Sequence, residues 1–251
     1  MMEIVLLKWD ECTSYEDIDS LMDRFIPFVT PEKYKRLDRL RNREDFYCTV
    51  AADILARMLL CRTLKCSNNE LVIHTHPFGK PYVEGDPVFF NISHAGAFIA
   101  VALDEAPIGI DIEQAGEWNM DVARLICSPR ELELLANTND SRARQELFFY
   151  IWTAKESVLK ALGTGLSLPP STFEIVQETA VPIQHNQLWN VDHNYVKQYV
   201  VPVTGYSMTV CAQHMEFAKQ IEYITWEQLT HRFTKWVGSY KGEDENWLSW
   251  N

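Results

Sequence analysis

The run Ile108-Gly109-Ile110-Asp111-Ile112-Glu113 alternates small or apolar residues with acids, which restricts it to a strand with two unlike faces. Side chains in a strand alternate sides, so Ile108, Ile110 and Ile112 enter a core while Asp111 and Glu113 project together from the other face. Two acids there repel each other unless something positive stands beside them. A third carboxylate, Glu156, follows in Trp152-Thr153-Ala154-Lys155-Glu156-Ser157-Val158-Leu159-Lys160, a segment read as helical. An oxygen-rich trio suits a hard cation such as Mg²⁺, which takes a few carboxylates, some waters and the oxygens of a substrate phosphate. The plainer alternatives are a half-exposed strand and an ordinary surface pair between Glu156 and Lys160.

With 251 residues, 47% of them apolar, the chain has enough material for one large domain or two intimate halves. Its first ten residues contain no basic stretch and only a short apolar run, and the longest apolar stretch, near Ala95 to Leu103, is too short to span a membrane. The expectation is a soluble, cytoplasmic protein. Six cysteines show neither a CxxC pair nor zinc spacing and are read as reduced, mostly buried thiols.

A net charge of −12 argues against general nucleic-acid binding, which needs an extended basic surface. Between Lys33 and Arg43, however, six basic residues (Lys33, Lys35, Arg36, Arg39, Arg41, Arg43) face one acid, Asp38. Such a patch on an acidic protein fits a small polyanion, or else it is a solvated helix face.

Helices are predicted over Tyr15 to Phe25, from a start at Thr30-Pro31, and over Arg43 to Leu64, Met120 to Ile126, Ser128 to Ala136 and Arg142 to Leu162. Gly163 caps the last of these. Strands are predicted over Glu3 to Lys8, Leu71 to His76, Pro87 to Ile92, Ala97 to Leu103, Phe173 to Gln177, Lys197 to Val201 and Tyr206 to Ala212. A long helix feeding an antiparallel sheet thus occurs twice, without a residue-level repeat. An amphipathic stretch, Trp226 to Trp236, precedes a polar, aromatic end.

Ser93 and His94 close a strand just before a glycine turn, where a hydroxyl, an imidazole and backbone amides can receive phosphate. Neighbouring strand residues face opposite ways, so the two are not a nucleophile and its base. His74 and His76 have no convincing third zinc ligand. Gly79-Lys80-Pro81 lacks the setting of a P-loop and reads as a turn presenting one cation.

Five segments, Phe78-Gly79-Lys80-Pro81, Phe90-Asn91-Ile92-Ser93-His94, Ile108 to Glu113, Trp152-Thr153-Ala154-Lys155-Glu156-Ser157 with Lys160, and Gly165-Leu166-Ser167-Leu168-Pro169, occur in an order that resembles the 4′-phosphopantetheinyl transferases. The likeness is to the large surfactin-synthetase-activating class and covers roughly residues 1 to 215. It implies an α+β fold, a pseudo-twofold monomer of two similar halves, each a long helix packed on a small antiparallel sheet. The halves divide as 1–105 and 106–251, with an extension from about 215. Coenzyme A lies in the cleft between them, and its phosphopantetheine arm moves to a serine of an apo carrier protein, releasing 3′,5′-ADP.

On this resemblance Asp111, Glu113 and Glu156 hold Mg²⁺, Glu156 and Lys160 are catalytic, and Lys33 and Arg36 meet the 3′-phosphate of coenzyme A. Thr49 lies beside the adenosine, and Lys80, Ser93, His94, Lys155 and Lys160 are further coenzyme-A contacts. Cys48 stands where related sequences carry a basic residue. The base that accepts the serine proton is Glu156 or a water on the cation. The implied partners are peptidyl and acyl carriers of nonribosomal peptide and polyketide synthesis, hence of antibiotic production, with a fatty-acid carrier left open and docking between Trp118 and Leu135. The competing functions are a Mg²⁺-dependent nucleotide-diphosphate hydrolase and a non-catalytic module that binds coenzyme A or a carrier.

Overall fold

Side-chain caps open both long helices. Asn42 accepts a hydrogen bond from the Glu44 amide at 2.9 Å ahead of Arg43–Leu64, and Asp140 accepts from the Ala143 amide at 2.7 Å ahead of Ser141–Leu162. Both end in left-handed backbone, at Lys65 and at Gly163. The computed structural model describes residues 1–9, 15–37, 42–85, 87–176, 179–182 and 191–240. Cys12, the residues Thr13 and Ser14 just ahead of the first predicted helix, and the chain beyond 240 lie outside them.

The elements run β1 (Glu3–Lys8), α1 (Tyr15–Phe25), α2 (Pro31–Leu37), α3 (Arg43–Leu64), β2 (Ile73–Thr75), β3 (Pro81–Val83), β4 (Phe89–Ala95), β5 (Phe98–Asp104) and β6 (Ile108–Gln114). They continue with α4 (Met120–Ile126), α5 (Pro129–Asn137), α6 (Ser141–Leu162), β7 (Phe173–Val176), β8 (Thr179–Pro182), β9 (Tyr195–Tyr199), β10 (Tyr206–Ala212), β11 (Glu222–Thr225) and α7 (Trp226–Tyr240). One sheet has the order β11-β1-β5-β4 and a second β6-β10-β9-β8-β7, with β2 and β3 as a separate hairpin. The α+β class is as expected, and α3 and α6 are the two long helices.

Alternation along the strands divides the interior into layers. Val5, Leu7, Ile99, Val101 and Leu103 turn to one side of the first sheet and pack with Val50, Ile54 and Met58 of α3. Ile4, Leu6, Ala100 and Ala102 turn to the other side and meet Ile108, Ile110, Ile112, Met208 and Val210 of the second sheet. The isoleucine face of β6 is therefore the contact between the two sheets. Its acidic face looks the opposite way, toward α6.

Edge strands β4 and β6 are stitched by side chains. Asn91 Oδ1 accepts from the Ile110 amide at 2.9 Å, and Ser93 Oγ accepts from the Ile112 amide at 3.3 Å. Both residues sit on one face of β4, two positions apart, and both answer β6 amides that would otherwise be buried without a partner. The five cysteines among the described residues are free thiols. No described helix is long and apolar enough to cross a membrane.

The segment after about 215, assigned to the second half by sequence, returns to the first. β11 pairs with β1 in parallel, Val5 opposite Glu222, which gives the first sheet its one parallel edge. Helix α7 then lays Phe233 against Phe25 (centroids 4.6 Å apart) and Phe28 (5.3 Å), with Trp236 5.3 Å from Phe28. Four-residue strands such as β8 and β11 carry too little alternation to be read from sequence, and β3 begins at the proline of a turn-like segment. Truncating Phe233 to alanine removes the centre of the aromatic cluster and is expected to lower stability by about 3–5 kcal/mol, measured by chemical denaturation.

Candidate active site

Gly109 sets the distance between β6 and α6. A Cβ at this position would overlap the Ser157 carbonyl and stand 2.5 Å from the Ala161 backbone nitrogen, so only glycine lets the helix lie this close to the strand. The close crossing continues along β10, where Thr153 Oγ1 lies 3.0 Å from Ser207 Oγ and 2.9 Å from Thr209 Oγ1. Thr209 is opposite Asp111 in the ladder, and Ser207 opposite Glu113. The hydroxyl cluster thus fixes α6 over the strand pair that carries the acids.

Lys160, four residues after Glu156 on the same helix face, reaches down to the strand. Its Nζ is 2.6 Å from Asp111 Oδ1 and 2.9 Å from Ser93 Oγ, and Ser93 itself donates to Asp111 Oδ1 at 3.0 Å. The second oxygen of Asp111, Oδ2, is buried without a hydrogen-bond partner. A buried carboxylate oxygen left unpaired costs free energy unless a ligand meets it.

The electrostatics agree. Burial pushes the Asp111 pKa up, although Lys160 and Ser93 pull it down. Burial raises Glu113 to about 7, and the charge of Asp111 adds to the rise. Glu156 is raised by burial and then by Asp111, with Lys160 opposing. Three carboxylates that each resist ionisation need more positive charge than one ammonium supplies. Among the described residues no three His, Cys, Asp or Glu side chains are gathered closely enough to form a ready metal cage. The donor set still fits a hard cation at the mouth of the trio: it is all oxygen, it is electrostatically coupled, and it includes the orphaned Oδ2.

Of the remaining predicted residues, Ser93 joins the acids directly. His94, one position on, points to the opposite side of β4, the side that packs on α3, and is exposed at the end of the strand. Its pKa is lowered by the surrounding protein, partly offset by Asp45 of α3, while Lys160 lowers it further. Thr49 is half-buried on α3 and donates to the Asp45 carbonyl at 2.7 Å. Lys33 Nζ lies 2.5 Å from Asp53 Oδ1. Lys80 Nζ donates to the carbonyls of Ile108 (3.1 Å) and Ala161 (2.7 Å), tying β6 to the end of α6. The side chain of Arg36 and residues 38–41 of the basic run lie outside the described residues.

Lys155, expected to touch coenzyme A, does not join this group. It is fully buried on another side of α6, its Nζ 2.6 Å from Glu131 Oε2 and donating to the carbonyls of Ile126 (3.1 Å), Pro170 (2.8 Å) and Phe173 (2.7 Å). The physical reason is helical geometry: consecutive residues stand about 100° apart, so Lys155 and Glu156 face different neighbours. Lys155 binds α4, α5 and the start of β7 to α6. Its partner Glu131 was legible as the fourth residue of Ser128-Pro129-Arg130-Glu131, a capping box in which Ser128 and Glu131 hydrogen-bond each other's amides. Asn91 was also missed, though its two-residue spacing from Ser93 puts both on one strand face.

The profile of the 4′-phosphopantetheinyl transferase superfamily matches residues 107–211, and that of the 4′-phosphopantetheinyl transferase N-terminal region matches 14–106. The chain is 34% identical to 4′-phosphopantetheinyl transferase Sfp of Bacillus subtilis (strain 168) over 213 residues, 82% of this chain and 92% of the relative. It belongs to the 4′-phosphopantetheinyl transferase family. The transferase is also 31% identical over 236 residues to 4′-phosphopantetheinyl transferase ffp of Bacillus subtilis, covering 91% of its own length and all of that relative. A more distant similarity, 31% over 163 residues, is to the L-aminoadipate-semialdehyde dehydrogenase-phosphopantetheinyl transferase of Schizosaccharomyces pombe, covering 57% of this chain and 62% of that one. The boundary between the two profiles falls just before the acidic strand.

Two outcomes follow for the transferase. Gly109→Ala forces backbone against backbone and is expected to lower stability by about 3 kcal/mol, the upper end for overpacking, as read from the denaturation midpoint. Glu113 titrates near pH 7 when folded and near 4.5 when unfolded, so between those values the folded chain holds more protons. The stability associated with this group is therefore fully present below about pH 4.5 and is lost as pH rises to about 7. In the metal-free protein, Glu113→Gln is expected to flatten that decline in a series of melts across this range.

Proposed function

We propose that this transferase moves the 4′-phosphopantetheine arm of coenzyme A to a serine hydroxyl of an apo peptidyl or acyl carrier protein, releasing 3′,5′-ADP. The observation that carries the reading is the buried, unpaired Asp111 Oδ2 beside two further carboxylates whose ionisation is suppressed, with the Lys160 ammonium already seated among them. A protein as acceptor is in keeping with the S. pombe relative, whose name couples it to a dehydrogenase.

Asp111, Glu113 and Glu156 would hold Mg²⁺. Bound there, the ion supplies positive charge against the pyrophosphate and the departing phosphate. Lys160, on the same face of α6, shares its hydrogen bonds between Asp111 and a phosphate oxygen and so stabilises charge on the leaving group. Glu156 accepts the proton of the incoming serine, and its raised pKa makes it a stronger base than an exposed glutamate. The serine oxygen forms a new bond to phosphorus as the bond from that phosphorus to the oxygen of 3′,5′-ADP breaks. No nucleophile from the transferase is needed.

Lys33 and Arg36 take the 3′-phosphate, Thr49 lies by the adenosine, and Ser93 and His94 border the phosphates from β4. Lys80 acts by joining β6 to α6. The carrier meets the α4–α5 face, where Leu125 and Leu134 are exposed. Peptidyl and acyl carriers of antibiotic-producing synthases are the acceptors, and the transferase works as a monomer in the cytoplasm.

The test is to incubate the protein with Mg²⁺, coenzyme A and an apo carrier and weigh the carrier by mass spectrometry. A gain of one phosphopantetheine is expected; cleavage of coenzyme A with an unchanged carrier, or binding without turnover, would refute transfer. Glu156→Gln is expected to reduce kcat about a hundredfold or more while coenzyme A still binds. Near-normal turnover in that variant would assign the proton to another acceptor.

A further inference from the structure

Asp45, Thr49, Asp53 and Arg57 recur every four residues along α3 and form one stripe of the helix. Asp45 lies within electrostatic reach of His94, Thr49 is half-buried next to it, and Asp53 meets Lys33 from α2. The stripe therefore runs from the end of β4 to the basic run. Asp53 has no assigned role, yet it is buried at the point where the two helices touch.

Both oxygens of Asp53 are engaged. Oδ1 takes Lys33 Nζ at 2.5 Å and Oδ2 takes Arg57 Nε at 2.9 Å, while Arg57 Nη1 donates to Asn68 Oδ1 at 3.0 Å. The carboxylate cannot rotate without breaking one of these bonds. Two cations around one anion leave a single positive charge. Arg57 is buried, whereas the Lys33 side chain is 33% exposed, so that charge is presented by Lys33.

An unanchored lysine must give up rotamer freedom when it closes on a phosphate; one already held gives up less. The negative charge of Asp53 works against phosphate, but Arg57 offsets it, and anchoring remains as the net effect. We propose that Asp53 is a positioning residue, holding Lys33 where it meets the 3′-phosphate of coenzyme A and so setting the preference for coenzyme A over 3′-dephospho-coenzyme A. This rests on the assignment of Lys33 to that phosphate under Proposed function.

The experiment measures kcat and KM for carrier modification with each donor. The unaltered enzyme is expected to favour coenzyme A, and Asp53→Asn to reduce that preference about tenfold, the scale of one loosened charge-assisted hydrogen bond. The change should appear in KM for coenzyme A, leaving kcat and both constants for the dephospho donor in place. Asp53→Glu should restore part of the preference. In a Lys33→Met background, Asp53→Asn should have no further effect, because both changes act through one contact.

Should Asp53→Asn fail to fold, Asp53→Leu combined with Arg57→Met removes both buried charges together, a replacement that cores commonly tolerate, and the same loss of preference is expected. Preference retained without Asp53, or additive losses in the double variant with Lys33→Met, would overturn the inference. If the unaltered enzyme transfers from both donors equally, the 3′-phosphate assignment itself fails and the role of Asp53 with it. Absence of all transfer would instead refute the proposed reaction.

Discussion

The crossing of α6 over β6 at Gly109 is the contact on which the rest of the site depends. A strand and a helix ordinarily keep side chains between them, and here the helix backbone occupies the space of a missing Cβ. Lys160 is thereby brought within 2.6 Å of Asp111. The same strand presents its isoleucines to the first sheet, so the plane that joins the two sheets also orients the acids. Site and core are two faces of one six-residue pattern.

Asp111 is already met by an ammonium and a hydroxyl, both on one oxygen, and the other oxygen is left without a partner. Glu113 and Glu156 are held in surroundings that disfavour their charge. An arrangement like this lowers the stability of the empty protein and recovers that free energy only when positive charge enters. The strain lies in solvation rather than in backbone geometry, since the strand itself is regular.

Much of this was legible because period and caps are local. Alternation identified β6 and its two faces, and Gly163 marked the end of α6 to the residue. Lys155 was misread because adjacency in sequence is not adjacency on a helix, and the acid that claims it, Glu131, lies 24 residues upstream on α5. Asp53 was invisible for a related reason: within a run of α3 residues bound for the core, nothing local distinguishes a buried carboxylate with two cations from a solvated one. The return of β11 to β1 joins segments more than two hundred residues apart, and a four-residue strand announces no partner.

That return has a bearing on how the chain is made. Translation delivers β1 more than two hundred residues before β11, so the emerging polypeptide carries an open strand edge, and an uncovered aromatic surface on α1, throughout that interval. Sequence-distant pairing is slow to form, which lengthens the exposure. The first sheet becomes complete only when β11 has left the ribosome, and this interval is when the nascent protein depends most on protection from aggregation.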